Sequence, residues 1–138
     1  MNQDEIKFQI KRIDILEFSF RDPNRFLPEN SPFRFDIQIK HHVNLEEENI
    51  LVNSQYNIYY DNDEDSLGKA AISCVYHIVN IQQFVNELGK FTLPEHLITM
   101  FNSISISTCR GVLFTLFRGT RLHSVILPIV NPQQFFNH

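Results

Sequence analysis

The chain has 138 residues, 43% of them hydrophobic and 20% charged, with a net charge of −4. That composition is neither fibrous nor disordered, and the length predicts a single domain over residues 1–138 that buries roughly two-thirds of its unfolded surface without a disulfide or metal. The basic residues are scattered rather than striped, which argues against nucleic acid, and no stretch approaches the roughly 18 apolar residues of a membrane span, which argues against membrane insertion.

Met1-Asn2-Gln3-Asp4-Glu5 is polar and acidic where a secretory leader is basic and then apolar. Cys74 and Cys109 are the only cysteines, so both read as reduced thiols, and the expected location is cytoplasmic. The chain carries 13 Phe and no Trp, flat apolar side chains that suit a core and equally a surface gripping varied apolar partners.

The first predicted strand, residues 7–20, changes phase. Phe8, Ile10, Leu16, Phe18 and Phe20 are apolar at even positions, whereas Ile13 and Ile15 are apolar at odd ones. A bulge that flips the alternation and a second covered face, packed on another subunit, are both expected to contribute. Pro23, Pro28 and Pro32 then mark an irregular connection. In residues 33–43, Phe33, Phe35, Ile37 and Ile39 alternate with Arg34, Asp36, Gln38 and Lys40, which is a strand with one buried and one wet face. Residues 50–60 repeat the pattern, with Ile50, Val52, Tyr56, Ile58 and Tyr60 opposite Asn53, Gln55 and Asn57.

The acidic runs 44–49 and 61–66 read as solvated turns; neither has the glycine and distal glutamate of a calcium loop. A fourth strand over residues 70–81 places Ala70, Ile72, Cys74, Tyr76 and Ile78 on one face. Its other face mixes Val75 and Val79 with Ser73 and His77, so part of it is expected to meet protein rather than water.

Beyond residue 81 the period becomes helical. Phe84 and Leu88 lie four apart, Pro94-Glu95 resembles a first helical turn, and Leu97, Met100, Phe101 and Ile104 continue the spacing. The run Ser103 to Thr108 also reads as a strand, because serine and β-branched residues are weak helix formers. Gly111 is expected to end the element, and residues 112–123 to form a short hairpin around Arg118-Gly119-Thr120-Arg121. Leu127-Pro128-Ile129-Val130-Asn131 reads as extended, with Pro132 opening a short last helix.

No nucleotide-binding, nucleophile-elbow or zinc-protease motif is present. Cys74 and His77 point to opposite faces of a strand, as do His41 and His42, so neither pair converges on a metal. Ser107, Cys109 and Arg110 near Gly111 have no identifiable base. No catalytic residue, metal ligand or cofactor is therefore assigned, and the chain is expected not to be an enzyme.

Phe8-Gln9-Ile10-Lys11-Arg12-Ile13, continuing through Phe18-Ser19-Phe20 to Pro23-Asn24, closely resembles the first strand of the SecB export chaperones. Pro94, Leu97 and Phe101 resemble the start of that family's long helix, and Arg110-Gly111 sits where the helix ends. Leu127-Pro128-Ile129-Val130-Asn131 with Phe135-Phe136 resembles its crossover segment and final helix. The likeness covers both ends of the chain and, more loosely, the strand order between them.

The resemblance implies an α+β fold: a four-stranded antiparallel sheet, then a long helix and a short C-terminal helix. It implies a homo-oligomer, a dimer of dimers, with grooves that receive non-native polypeptides. Leu127, Ile129, Val130, Phe135 and Phe136 become client-groove candidates by that likeness, and Glu17 matches an acidic motor-docking position. Ile13, Ile15, Val75 and Val79 are the candidate oligomer contacts. Arg21 has the opposite sign to the family's acidic docking position, the strand over 70–81 has no acidic residue, and no acidic tail precedes His138. These departures argue against docking to the SecA translocase motor. They fit the SecB-like proteins that serve one antitoxin partner. The expected function is an ATP-independent holdase, for export or for such a partner. The alternative is a small-ligand-binding protein or unrecognised enzyme with a pocket between sheet and helices.

Overall fold

The alternating segments form four antiparallel strands, β1 (Phe8–Phe20), β2 (Phe33–Asn44), β3 (Asn49–Tyr60) and β4 (Gly68–Ile78), in the order β1-β4-β3-β2. The structure is a computed structural model that describes residues 6–21, 32–120, 122 and 125–135. Of the readings above, the prolines at 23 and 28, Arg121 and the side chains of Phe135 and Phe136 lie outside the described residues.

Two bulges explain the phase change in β1. Register shifts between Ile10 and Arg12 and between Ile15 and Glu17 leave Lys11 and Leu16 without a cross-strand partner. Each extra residue moves the alternation by one position. Phe8, Ile10, Ile13, Ile15, Phe18 and Phe20 thus pair with Ile78, Tyr76, Cys74, Ile72, Ala70 and Gly68. Directly paired residues share a face, so all six apolar residues lie on the same side of the sheet. The bulges account for the phase change of these six; Leu16, the second bulge residue, is 59% exposed beside Gln38, Lys40 and Ala71 on the opposite face.

A single long helix, α1 (Glu95–Leu116), crosses that face after a 3-10 turn at Ile81–Phe84 and a small loop closed by a Val85–Phe91 bridge. Leu88 lies in this loop, not on a helix. Pro94 caps the start of α1 as the sequence predicts. The helix runs through Ser103 to Thr108 and past Gly111, which corrects both the strand reading and the hairpin over 112–123. Leu97, Phe101, Ser105, Ile106, Cys109 and Leu113 form its buried side, and burial of that side outweighs weak intrinsic propensity. At 22 residues, α1 has the length and composition of a membrane span, which the sequence reading overlooks because Ser and Thr interrupt the run. Its inner side packs on the sheet.

The core lies between α1 and the sheet and includes Ile50, Tyr56, Ile58, Ile72, Tyr76, Phe101 and Phe117. Tyr76 fastens strand to helix: its hydroxyl donates to the Phe101 carbonyl at 3.3 Å and shares a hydrogen bond with Ser105 Oγ at 2.7 Å. Its ring lies 4.6 Å from that of Phe101, which is 4.9 Å from Phe8. At the other end of α1, a Cβ on Gly68 would come within 3.0 Å of Leu122 and 3.3 Å of Phe117, so glycine lets the chain close tightly there. After α1, residues 125–131 are extended and Pro132–Phe135 form a 3-10 turn.

Candidate grooves along an edge strand

The strand order leaves two edges, β1 and β2. Pairing of β2 with β3 runs without a shift from Phe33↔Tyr60 to Asn44↔Asn49. The Asp61 N–H donates to the Pro32 carbonyl at 2.8 Å, which fixes the phase of the ladder. Bonded and non-bonded pairs alternate in an antiparallel ladder. Phe33, Phe35, Ile37, Ile39, His41 and Val43 are therefore the residues whose N–H and C=O point away from β3. Their side chains point to the face covered by α1, and Ile39 is buried there.

Two open troughs flank this edge. One, of about 400 Å³, is lined by Phe35, Asp36, Ile37, Gln38, Val130 and Gln134. Side chains from both faces of β2 line it, so it wraps the strand edge. The other, of about 360 Å³, lies toward the far end of β2 between His41, Val43 and Ile50 on the sheet and Phe91, Leu93 and Ile98 beyond it.

Arg110 positions the C-terminal segment beside the first trough. Its Nε donates to the Leu127 carbonyl at 2.9 Å and its Nη2 to the Pro128 carbonyl at 3.0 Å. Asn102 Nδ2 donates to the Pro132 carbonyl at 3.3 Å. Held in this way, Leu127 turns into the core, whereas Ile129 is 93% exposed and Val130 is half-buried against the trough. The backbone of Phe135 closes the 3-10 turn.

His41 ties β2 to α1 through a 2.7 Å hydrogen bond between Nε2 and Asn102 Oδ1. Burial holds its pKa below the ordinary histidine value and so favours the neutral ring, while the hydrogen bond to Asn102 pulls the other way. Cys74 and Cys109 are free, buried thiols; contact with Cys74 and then burial push Cys109 well above the usual range. Neither reaches solvent. Among the described residues no group of three or more His, Cys, Asp and Glu could hold a metal.

The β1 edge is different. Ile13 is 43% and Ile15 51% exposed although both lie on the apolar face, because α1 does not reach over them. On the opposite face Val75 is 1% exposed, enclosed by its own chain, and Val79 is about half-exposed. Glu17 is exposed and lies 3.6 Å from Lys69. Arg21 donates to the Ser66 and Asp65 carbonyls at 3.2 and 3.4 Å.

The structure thus gathers Val130 with Phe35 and Ile37, and it places Leu127 in the core rather than a groove wall. Sequence reading missed Phe91, Leu93 and His41 as trough residues and Asn102 and Arg110 as the groups that hold the segment. An amide and a lone arginine among the apolar, serine and threonine residues of α1 were the available signals.

No family model matches the chain, and no curated protein matches it. Among solved structures it is similar to a SecB-like chaperone of Mycobacterium tuberculosis in complex with a ChAD peptide from the HigA1 antitoxin. That match has 13% identity, a TM-score of 0.65 and covers 89% of each chain. A protein of unknown function from Streptococcus agalactiae matches at 15% identity over 91% of this chain and 99% of its own, with a TM-score of 0.36. With its four-stranded antiparallel sheet, one long helix and a closing 3-10 turn, the chain has a SecB-like fold.

Proposed function

We propose that the protein is an ATP-independent chaperone that holds non-native polypeptides, either generally or for one dedicated partner. The observation that carries this reading is the pair of open troughs along β2, one of mixed lining with Ile129 presented bare beside it and one mainly apolar. They are open along an edge, which suits a chain better than a small ligand. Burial of a few hundred Å² of apolar surface supplies about 25 cal/mol per Å², of which only the surplus over lost motional freedom remains as affinity. That favours weak, reversible holding without turnover of any cofactor.

Several copies joined together would add avidity, because later contacts become intramolecular. The bare Ile10, Ile13 and Ile15 on β1 support a homo-oligomer, a dimer of dimers in this reading. The fold neighbour binds an antitoxin peptide, which supports a small dedicated partner as client. Export through a SecA motor is disfavoured by Arg21 and by the pairing of Glu17 with Lys69. The cytoplasm is the proposed location.

The test is light scattering from a thermally unfolding protein without ATP. The expected result is suppression of aggregation at about one oligomer per client, together with an oligomeric mass for the chaperone itself. A monomer that leaves aggregation unchanged would refute the proposal.

A further inference from the structure

We infer that Cys74 and Cys109 are a modification site: peroxide converts them to a reversible internal disulfide that joins β4 to α1 through the core. The inference is independent of the holdase reading.

The register between strand and helix brings the two thiols together. α1 runs antiparallel to β4. Phe101 in its first half meets Tyr76 near the end of β4, and Phe117 just past its last turn meets Gly68 at the start of β4. Between these contacts, Tyr76 Oη and Ser105 Oγ lie 2.7 Å apart. Two residues back along β4 is Cys74, about 6.7 Å away on the same face. Four residues on along α1 is Cys109, about 6 Å away on the same side. The two steps match in direction and length, so the sulfurs face each other, and the two side chains are hydrogen-bonded. Both residues are fully buried. Closing from that contact to the S–S bond length takes an approach of about 2 Å, shared between side-chain rotation and the helix.

The surroundings suit the chemistry. Ser54 Oγ and Tyr56 Oη are buried without a hydrogen-bond partner, and both lie beside Cys109. Such hydroxyls can donate to a thiolate and to an oxygen leaving sulfur. The hydrogen bond from Cys109 holds the Cys74 thiol below its ordinary value, against the opposing effect of burial, which makes Cys74 the nucleophile.

Burial selects a small neutral oxidant, hydrogen peroxide, entering by local opening of the core. The Cys74 thiolate attacks one peroxide oxygen; the O–O bond breaks, hydroxide leaves, and Cys74 becomes a sulfenic acid. The hydroxide takes the Cys109 proton and becomes water. The Cys109 thiolate then attacks the Cys74 sulfur; the S–S bond forms and the S–O bond breaks. The second hydroxide takes up the proton that Cys74 had released. The thiol pair loses two electrons, and one peroxide is reduced to two waters. The loop closed, residues 74–109, is long, so the unfolded chain loses much freedom while the folded core moves little.

The test treats the reduced, full-length protein with hydrogen peroxide under native conditions and maps tryptic peptides without reduction. Trypsin cuts at Lys90, between the two cysteines. The expected result is that the peptides containing Cys74 and Cys109 are joined within one chain and separate on treatment with dithiothreitol. The melting temperature should rise by about 5–10 °C on oxidation and return on reduction, and Cys109→Ala should abolish both the link and the rise. Met100, 41% exposed on α1, supplies an internal measure of exposure to oxidant. Thiols still reduced once Met100 has become the sulfoxide would overturn the inference and leave the pair as plain core packing. So would oxygen added to either cysteine in place of the link, a disulfide between copies, or a linked protein that melts lower than the reduced one.

Discussion

β1 and β2 are both edge strands on the same apolar face, yet they solve the edge in opposite ways. β1 is broken by two bulges and leaves isoleucine side chains bare; β2 is regular and leaves backbone groups bare, with one trough at residues 35–38 and another at His41 and Val43. Bare side chains on a bulged strand favour packing against a preformed surface, which a second copy provides. A bare ladder beside troughs favours an extended chain, which a non-native client provides. In the proposed function, self-assembly uses one edge and client capture the other.

The largest expected effect comes from charging the β1 face. Ile13→Lys with Ile15→Lys places two like charges on each copy in a would-be apolar contact, and sedimentation should then show the smallest assembly unit. Both positions are about half-exposed, so the melting temperature of the protomer should hardly move. Client peptide affinity per protomer should also be unchanged; if it falls with the oligomer, the two edges do not have separate tasks.

Next is the β2 side. Ile129→Asp with Val130→Asp should lower affinity for an unfolded client about tenfold or more, since it leaves acid at the trough wall, while oligomeric mass stays the same. A smaller effect is expected at Arg110. Its two donated hydrogen bonds hold the segment in place, and Arg110→Ala should lower stability by about 1.5–3 kcal/mol in chemical denaturation and weaken client binding without touching the β1 contact.

The mildest effect is that of pH. His41 is held neutral by burial, so it binds a proton more weakly when folded than when unfolded. Its contribution is complete above the ordinary histidine value of about 6.5 and declines as the pH drops below it. The urea midpoint should fall on acidification through that range, and His41→Gln should flatten the slope. A slope unchanged in the variant would assign the loss to other groups.

Much of this contrast was legible in the residues. The alternation in 33–43 and 50–60 gave β2 and β3 within about two residues, because one wet and one buried face impose period two. The break in β1 was legible as a conflict between Ile10 and Ile13, but its resolution was not: only the pairing with β4 shows two bulges keeping Phe8, Ile10, Ile13, Ile15, Phe18 and Phe20 on one side. Residues 103–116 were misread because serine, threonine and glycine disfavour a helix locally, whereas Ser105 meets Tyr76 and Cys109 and Leu113 fill the core. The troughs were the least visible feature. They depend on Arg110 reaching Leu127 and on Asn102 reaching His41, contacts between residues 17 and 61 positions apart that no local pattern records. Leu127 and Ile129, two residues apart in one apolar run, end in the core and in the open for the same reason.

The division between the edges is tested most directly by photo-crosslinking from one side at a time. A benzophenone side chain is placed at Gln38, on the wall of the first trough, or at Ile15, on the bare face of β1. The protein is then irradiated with a carboxymethylated client. Crosslinks to the client from Gln38 and to a second copy from Ile15 are the predicted result. Client captured at Ile15, or a second copy at Gln38, would contradict it.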